Sequence, residues 1–281
     1  MEKFERSWQI MRASWDVLRQ DKEILVFPMI SGIALMLIVA SFVVPVFALG
    51  GIDTVQRVAR HNGTVGNLVV LFAFYFINYF VVIFFNAAIV ACATIRMRGG
   101  NPTVGDGLQA SGERIFEIAG WALVSASVGM ILRAIEERSK LVGRIVAGLL
   151  GMAWGITSYL VIPILVNERK GPMEAFQESA RLIKKTWGEE LIGGFSFGLI
   201  FFVLSLPAVL LIAAGAASGK GFLAFGFVAF AAIYVIALAV VQAALQGIFQ
   251  AALYQYAKKG ETPPGFDREV LNEAITPRAF G

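Results

Sequence analysis

The chain is short of almost everything that aqueous catalysis relies on. Its 281 residues include one cysteine and one histidine, and only 16% of them are charged. Cys92 lies inside an apolar run with no second thiol to meet, so an intrachain disulfide is excluded and no redox compartment follows. His61, the sole imidazole, stands beside Asn62 and Gly63 in a polar stretch. Neither a two-histidine zinc motif nor a Ser-His pair within an apolar segment can be built from it, and it reads as a solvated loop residue. The alternation over about ten residues that marks a membrane-spanning strand is also missing, which excludes a barrel.

What the chain has instead is apolar length. A hydrophobic share of 57% and a mean hydropathy of +0.71 exceed the roughly 45–50% of soluble domains, and exclude a water-soluble monomer. Six runs contain no Lys or Arg: Ile24–Leu49, Leu68–Ile95, Ile115–Leu132, Ile145–Val166, Leu191–Ala217 and Phe222–Tyr256. A bilayer core of about 30 Å takes roughly 20 helical residues to cross, so each run is a candidate span and the fold is all-α. Pro28, Pro45, Pro163 and Pro207 fall within them and predict kinks or end-turns rather than domain breaks. About 22 polar and aromatic residues precede the first run with no small-residue cleavage site after it, so that run is expected to be retained rather than removed as a signal.

The charges sit between the runs. Of 24 Lys and Arg, 17 lie before the first run, in 96–114, in 168–190 and after Tyr256, against seven in the alternating connections. This bias places both termini in the cytoplasm of a multi-pass protein of the cell membrane. It also accounts for the net charge of +4 and the pI near 9.3 without nucleic acid. The shortest run, Ile115–Leu132, is the weak point, because every later orientation inverts if it does not cross.

The first residues place Phe4, Trp8, Met11, Trp15 and Leu18 at spacings of four and three, with Glu5, Arg6, Arg12, Asp16 and Arg19 over the remaining surface. That is an amphipathic helix, whose indoles suit either a headgroup boundary or the protein's own helix ends. The element returns: Ser7 to Trp15 matches Ser179 to Trp187, with Phe4 against Phe176, and a fainter copy lies at Leu108-Gln-Ala-Ser111. The reading is three parallel units, each an amphipathic elbow (3–20, 104–114 and 174–187) followed by a helical hairpin. Residues 1–257 then form one six-span domain and 258–281 a cytoplasmic tail.

The elbow with its Ser and Trp, the kinked Ile24-Leu-Val-Phe-Pro-Met-Ile and the Ala175-Phe-Gln-Glu-Ser-Ala stretch resemble an uncharacterised family of prokaryotic six-helix membrane proteins, over most of the chain. More distantly, elbow plus hairpin is similar to the membrane domain accompanying some glycerophosphodiester phosphodiesterases. The catalytic domain of those enzymes, with its metal-binding carboxylates and histidines, has no counterpart here. The resemblance implies fold and location and supplies no site residues.

The inventory for chemistry inside the bilayer is thin. Glu117 is the only acid inside a run, two positions from its cytoplasmic end, where headgroups would hold it. Val104-Gly-Asp-Gly107 lacks the second intramembrane aspartate that an aspartyl protease needs. The Gly99-Gly-Asn-Pro-Thr-Val-Gly-Asp-Gly stretch has no phosphate-loop lysine. Neutral polar residues remain. Gln242, Gln246 and Gln250 recur every four residues on the last helix, and Tyr75, Asn78, Tyr79 and Asn86 share much of one face of the second. They are expected to face the bundle, as interhelical glue or as a polar groove formed by Asn78, Asn86, Gln242, Gln246 and Gln250. Gly151 with Gly155, and Gly194 with Gly198, offer small-residue faces for close packing. The expectation is a non-catalytic scaffold or lipid-interacting module, with a transporter or channel for a small or amphipathic solute as the alternative. Trp8, Trp15 and Trp187 serve as interfacial anchors. No cofactor or metal is expected; the partners are membrane lipids and not nucleic acid, with a second copy or another membrane protein left open.

Overall fold

A computed structural model describes residues 2–48, 63–138, 142–187, 197–268 and 271. It is helical throughout the elements described. Helix α1 (Glu2–Gln20) leads through a 3-10 turn (Lys22–Leu25) into α2 (Val26–Ala48). Then come α3 (Gly63–Met97), α4 (Val104–Gly112), α5 (Ile115–Arg138), α6 (Val142–Thr157), α7 (Val161–Glu168), α8 (Pro172–Trp187), α9 (Phe197–Ala217) and α10 (Gly221–Lys259). Six helical stretches are long and apolar enough to cross a membrane by length and composition. Their surfaces are those of a lipid-solvated protein, with Leu37, Leu210, Phe222 and Phe225 all largely exposed.

Two expected boundaries change. The third run does not stop at Leu132: α5 continues through Arg133, Glu136 and Glu137 to Arg138, because Arg133 pairs with Glu137 one turn on at 2.8 Å and the helix absorbs both charges. Its 24 residues reach about 36 Å, enough to cross. The fourth run is not one helix. It breaks between α6 and α7 at residues 158–160, because the ring of Pro163 removes an N–H and crowds the carbonyl four residues earlier.

The chain forms two compact units, Met1–Pro28 with Cys92–Val104 and Leu182–Gly281, and Met29–Ala91 with Gly105–Arg181. In the first, α1 packs against α10 and α9, and α9 pairs with α10. The α9–α10 approach is close because Gly215 leaves room for Phe227, which would lie 2.9 Å from any Cβ added there. The core of this unit is the last third of α10, where Ala244, Leu245, Gly247 to Leu253 and Tyr254 are buried almost all round. In the second unit α5 and α6 form the hairpin, and Ala87 to Val90 of α3 and Leu160 to Leu165 of α7 are buried in the same all-round fashion.

Helices α3, α7 and α10 end the same way. Gly99, Arg169 and Gly260 adopt left-handed backbone with φ of 84°, 52° and 69°, and a proline follows three residues later in each case, at 102, 172 and 263. The left-handed residue ends the helix and the proline bars its resumption. At the first turn Gly100 is held by its N–H to the Ile95 carbonyl at 3.0 Å, and a side chain there would meet Ile95 Cγ2 at 2.7 Å.

Candidate functional site

The three amphipathic helices each bury one serine completely: Ser14 on α1, Ser111 on α4 and Ser179 on α8. On α8 the buried face is Ala175, Glu178, Ser179, Leu182 and Ile183, and on α1 it is Ile10, Ala13, Ser14, Val17 and Leu18, at identical spacing. Burial therefore aligns Ser14, not Ser7, with Ser179. The sequence match was seven residues out of this register, and seven residues is two helical turns less about 20°, so periodicity alone cannot separate the two.

The serines do definite work. Ser179 Oγ donates to the Thr157 carbonyl at 2.6 Å and accepts the Leu160 N–H at 3.1 Å. It thereby satisfies backbone groups that the break before Pro163 leaves without helical partners. Phe176, one turn earlier on α8, stacks on Trp121 of α5 and Trp154 of α6 with ring centroids 5.9 and 5.1 Å away, and the two indoles stack on each other at 5.3 Å. Pro172 sits over Gly120, so closely that a Cβ there would lie 2.7 Å from its ring. In the same manner Ser111 Oγ donates to the Phe84 carbonyl of α3 at 3.0 Å. Both elbows reach back to the hairpin preceding them, whereas the sequence reading grouped each with the hairpin that follows. Ser14 Oγ has no partner among the described residues, and α1 packs on the last hairpin, α9 and α10.

The turn after α1 carries a charge cluster that sequence reasoning missed. The Arg96 guanidinium grips both carboxylate oxygens of Asp21, which is 6% exposed, and also donates to Asn101 Oδ1 at 2.7 Å. Glu23 accepts the Val104 N–H at 3.2 Å, covering a donor that the first turn of α4 leaves open. A bidentate, largely desolvated pair of this kind fixes geometry strictly. Here it ties the start of the first span to the end of α3.

The predicted intramembrane polar residues fall into two sets, by unit. In the second unit Asn78 Nδ2 bonds its own helix at the Phe74 carbonyl, 2.7 Å. The Tyr75 hydroxyl accepts from Arg133 at 3.4 Å, Tyr79 packs its ring end on Gly129, and Asn86 is half-buried. Gly151 faces Leu132, but Gly155 is open. In the first unit Gln250 is 6% exposed, Gln242 is half-buried and Gln246 is exposed. The expectation that all three amides face the bundle thus fails at Gln246. Burial on α10 changes with height along the helix, from mostly open at 222–236, where Ala231 alone is buried, to enclosed at 247–255, and a shared angular stripe does not override that. Gln255 donates to Met97 Sδ at 3.6 Å, and the Tyr234 hydroxyl to the Leu204 carbonyl at 2.7 Å.

Trp8 and Trp15 point away from the packed side of α1. Of the stripe read from sequence, Leu18 is buried and Met11 half-buried, but Trp8 and Trp15 are 49% and 41% exposed. The small Ala13 and Ser14 let α1 approach its neighbours closely, and the indoles are turned outward. The side chain of Trp187, along with His61 and Gly194, lies outside the described residues. Glu117 is half-buried with Arg114 3.8 Å away. Asp106 stands exposed in the first turn of α4, within the elbow expected over 104–114. Among the described residues no cluster of His, Cys, Asp and Glu is arranged for a metal.

A family of unknown function, DUF6159, matches residues 64–265. The chain belongs to this family. No curated protein and no solved structure matches it, and the likeness to the phosphodiesterase-associated membrane domain gains no support from these comparisons. Within the family match lie the Ser111 and Ser179 contacts, the Trp121–Trp154–Phe176 stack and all three helix-ending turns. Asp21 and the two exposed indoles precede it.

Proposed function

We propose that this protein is a non-catalytic scaffold and lipid-interacting module of the cell membrane, built from three copies of a helical hairpin and the elbow after it, with α1 serving the last hairpin. The three left-handed turns with proline three residues on, the buried serine on each elbow, and the shared burial register of Ser14 and Ser179 support the repeat. The charge bias of the connections supports cytoplasmic termini.

The observation that carries the scaffold reading is where the polar groups of the elbows and the apolar helices are spent. Ser179, Ser111, Tyr234, Asn78 and Tyr75 all bond to the protein's own backbone or side chains. Such bonds act as glue worth about 0.6 kcal/mol each, up to 1–2. Apart from the Asn78 bond, which stays within α3, they hold elements together, and none of them is made to a solute. One observation favours the second reading, a transporter or channel for a small or amphipathic solute: Gln246 is exposed between the more enclosed Gln242 and Gln250.

The test is Gln246→Cys in a Cys92→Ser background. No reaction with small water-soluble thiol reagents is expected, because a flank open to lipid holds no water. Rapid labelling that a solute protects against would replace the scaffold with a transporter.

A further inference from the structure

The face of α1 opposite its buried side is organised. At 100° per residue, Trp8, Trp15, Arg12 and Arg19 fall within an arc of about 60°, and the buried Val17 lies about 180° from Trp8. The two indoles are one heptad apart, the two guanidinium groups are one heptad apart, and all four side chains are exposed. Asp16 is the only acid on residues 8–20. Of the other acids near this helix, Asp21 pairs with Arg96, Glu23 accepts the Val104 N–H, and Asp267 lines a cleft with Arg12 and Asp16, while Lys22 is exposed beside Arg19 and adds to the positive side.

The position of the helix says what covers this face. Only Asp21 separates α1 from the 3-10 turn that leads into α2, and the first candidate span begins at Lys22. The C-terminal end of α1 therefore stands at the membrane boundary. An indole has an apolar body and an N–H that wants a polar partner, which matches the headgroup layer. Guanidinium groups in the same layer pair with phosphate in a bidentate fork.

We infer that the outward face of α1, Trp8 and Trp15 flanked by Arg12 and Arg19, docks on anionic phospholipid headgroups of the leaflet from which the first span starts. This rests on the lipid-interacting reading above and names its lipid class. The indoles supply insertion and the arginines supply selection for net negative charge, since basic residues near an anionic surface are attracted to it.

The test uses the full chain in nanodiscs of phosphatidylcholine containing an equal fraction of acyl-brominated phosphatidylglycerol or acyl-brominated phosphatidylcholine. The part of the tryptophan fluorescence lost in W8F/W15F reports the two indoles. Their quenching is expected to be at least about twofold stronger with the brominated anionic lipid at low salt, falling towards parity at about 0.5 M salt. R12Q/R19Q, which keeps both indoles, should abolish the preference but not the quenching, and K220Q should leave it intact. Equal quenching by the two lipids in the unmodified protein overturns the inference, as does a preference that survives R12Q/R19Q. Absence of indole quenching by either lipid removes α1 from the membrane surface altogether. Protectable labelling at Gln246→Cys is a separate outcome, so failure of the scaffold reading and failure of the lipid preference are told apart.

Discussion

Ser179 Oγ lies 2.6 Å from the carbonyl oxygen of Thr157, on a different helix 22 residues earlier, at the point where α6 gives way to α7. The same oxygen receives the Leu160 N–H, so one hydroxyl serves both sides of a helix break in a site from which water is excluded. Ser179→Ala should lower stability by about 1–3 kcal/mol, the cost of leaving a buried donor unsatisfied. Ser14→Ala, by contrast, removes a buried hydroxyl with no partner among the described residues and should be near neutral or stabilising. Denaturation of both variants in detergent checks this; equal losses would show that Ser14 is engaged as Ser179 is.

The Asp21 and Arg96 pair should behave as a unit. Asp21→Asn leaves a half-buried guanidinium without its counter-charge and should cost about 2 kcal/mol, with less added when Arg96→Gln is combined with it. A double-mutant cycle with a coupling energy near zero would show that the pair holds nothing.

Gly260 ends α10 at φ 69°, where any side chain is strained. Gly260→Ala should cost about 1 kcal/mol. Gly226→Ala, in the second turn of the same helix with nothing within 4 Å of the added methyl, should be neutral or slightly stabilising. If the two variants melt together, the left-handed turn is not what stops the helix.

Topology is read from single cysteines in the Cys92→Ser background. Lys220→Cys, in the turn between α9 and α10, should react with an impermeant thiol reagent added to intact cells. Glu174→Cys, in the first turn of α8, should react only after permeabilisation. Labelling of Glu174→Cys in intact cells would invert the proposed orientation.

Much of this architecture is written in local composition. Apolar length sets the spans and the 3.6-residue period sets the elbows, because both depend only on neighbours along the chain. Pro163 and the glycines at 99 and 260 mark where helices end for the same reason. Side choice was less legible. A helix with Ile10, Val17 and Leu18 on one flank and Trp8 and Trp15 on another offers two apolar faces, and periodicity does not say which meets protein and which meets lipid.

By itself, then, the sequence determined the solvent and the helical class, since each follows from the free energy of a short segment in water or hydrocarbon. Only the tertiary structure decided that Asp21 meets Arg96 across 75 residues, and that Ser111 and Ser179 fasten backwards rather than forwards. It also set Ser14 in register with Ser179 and turned the indoles of α1 outward. Those outcomes depend on which surfaces come close enough to exclude water, and a seven-residue shift along a helix changes the partner while presenting nearly the same face.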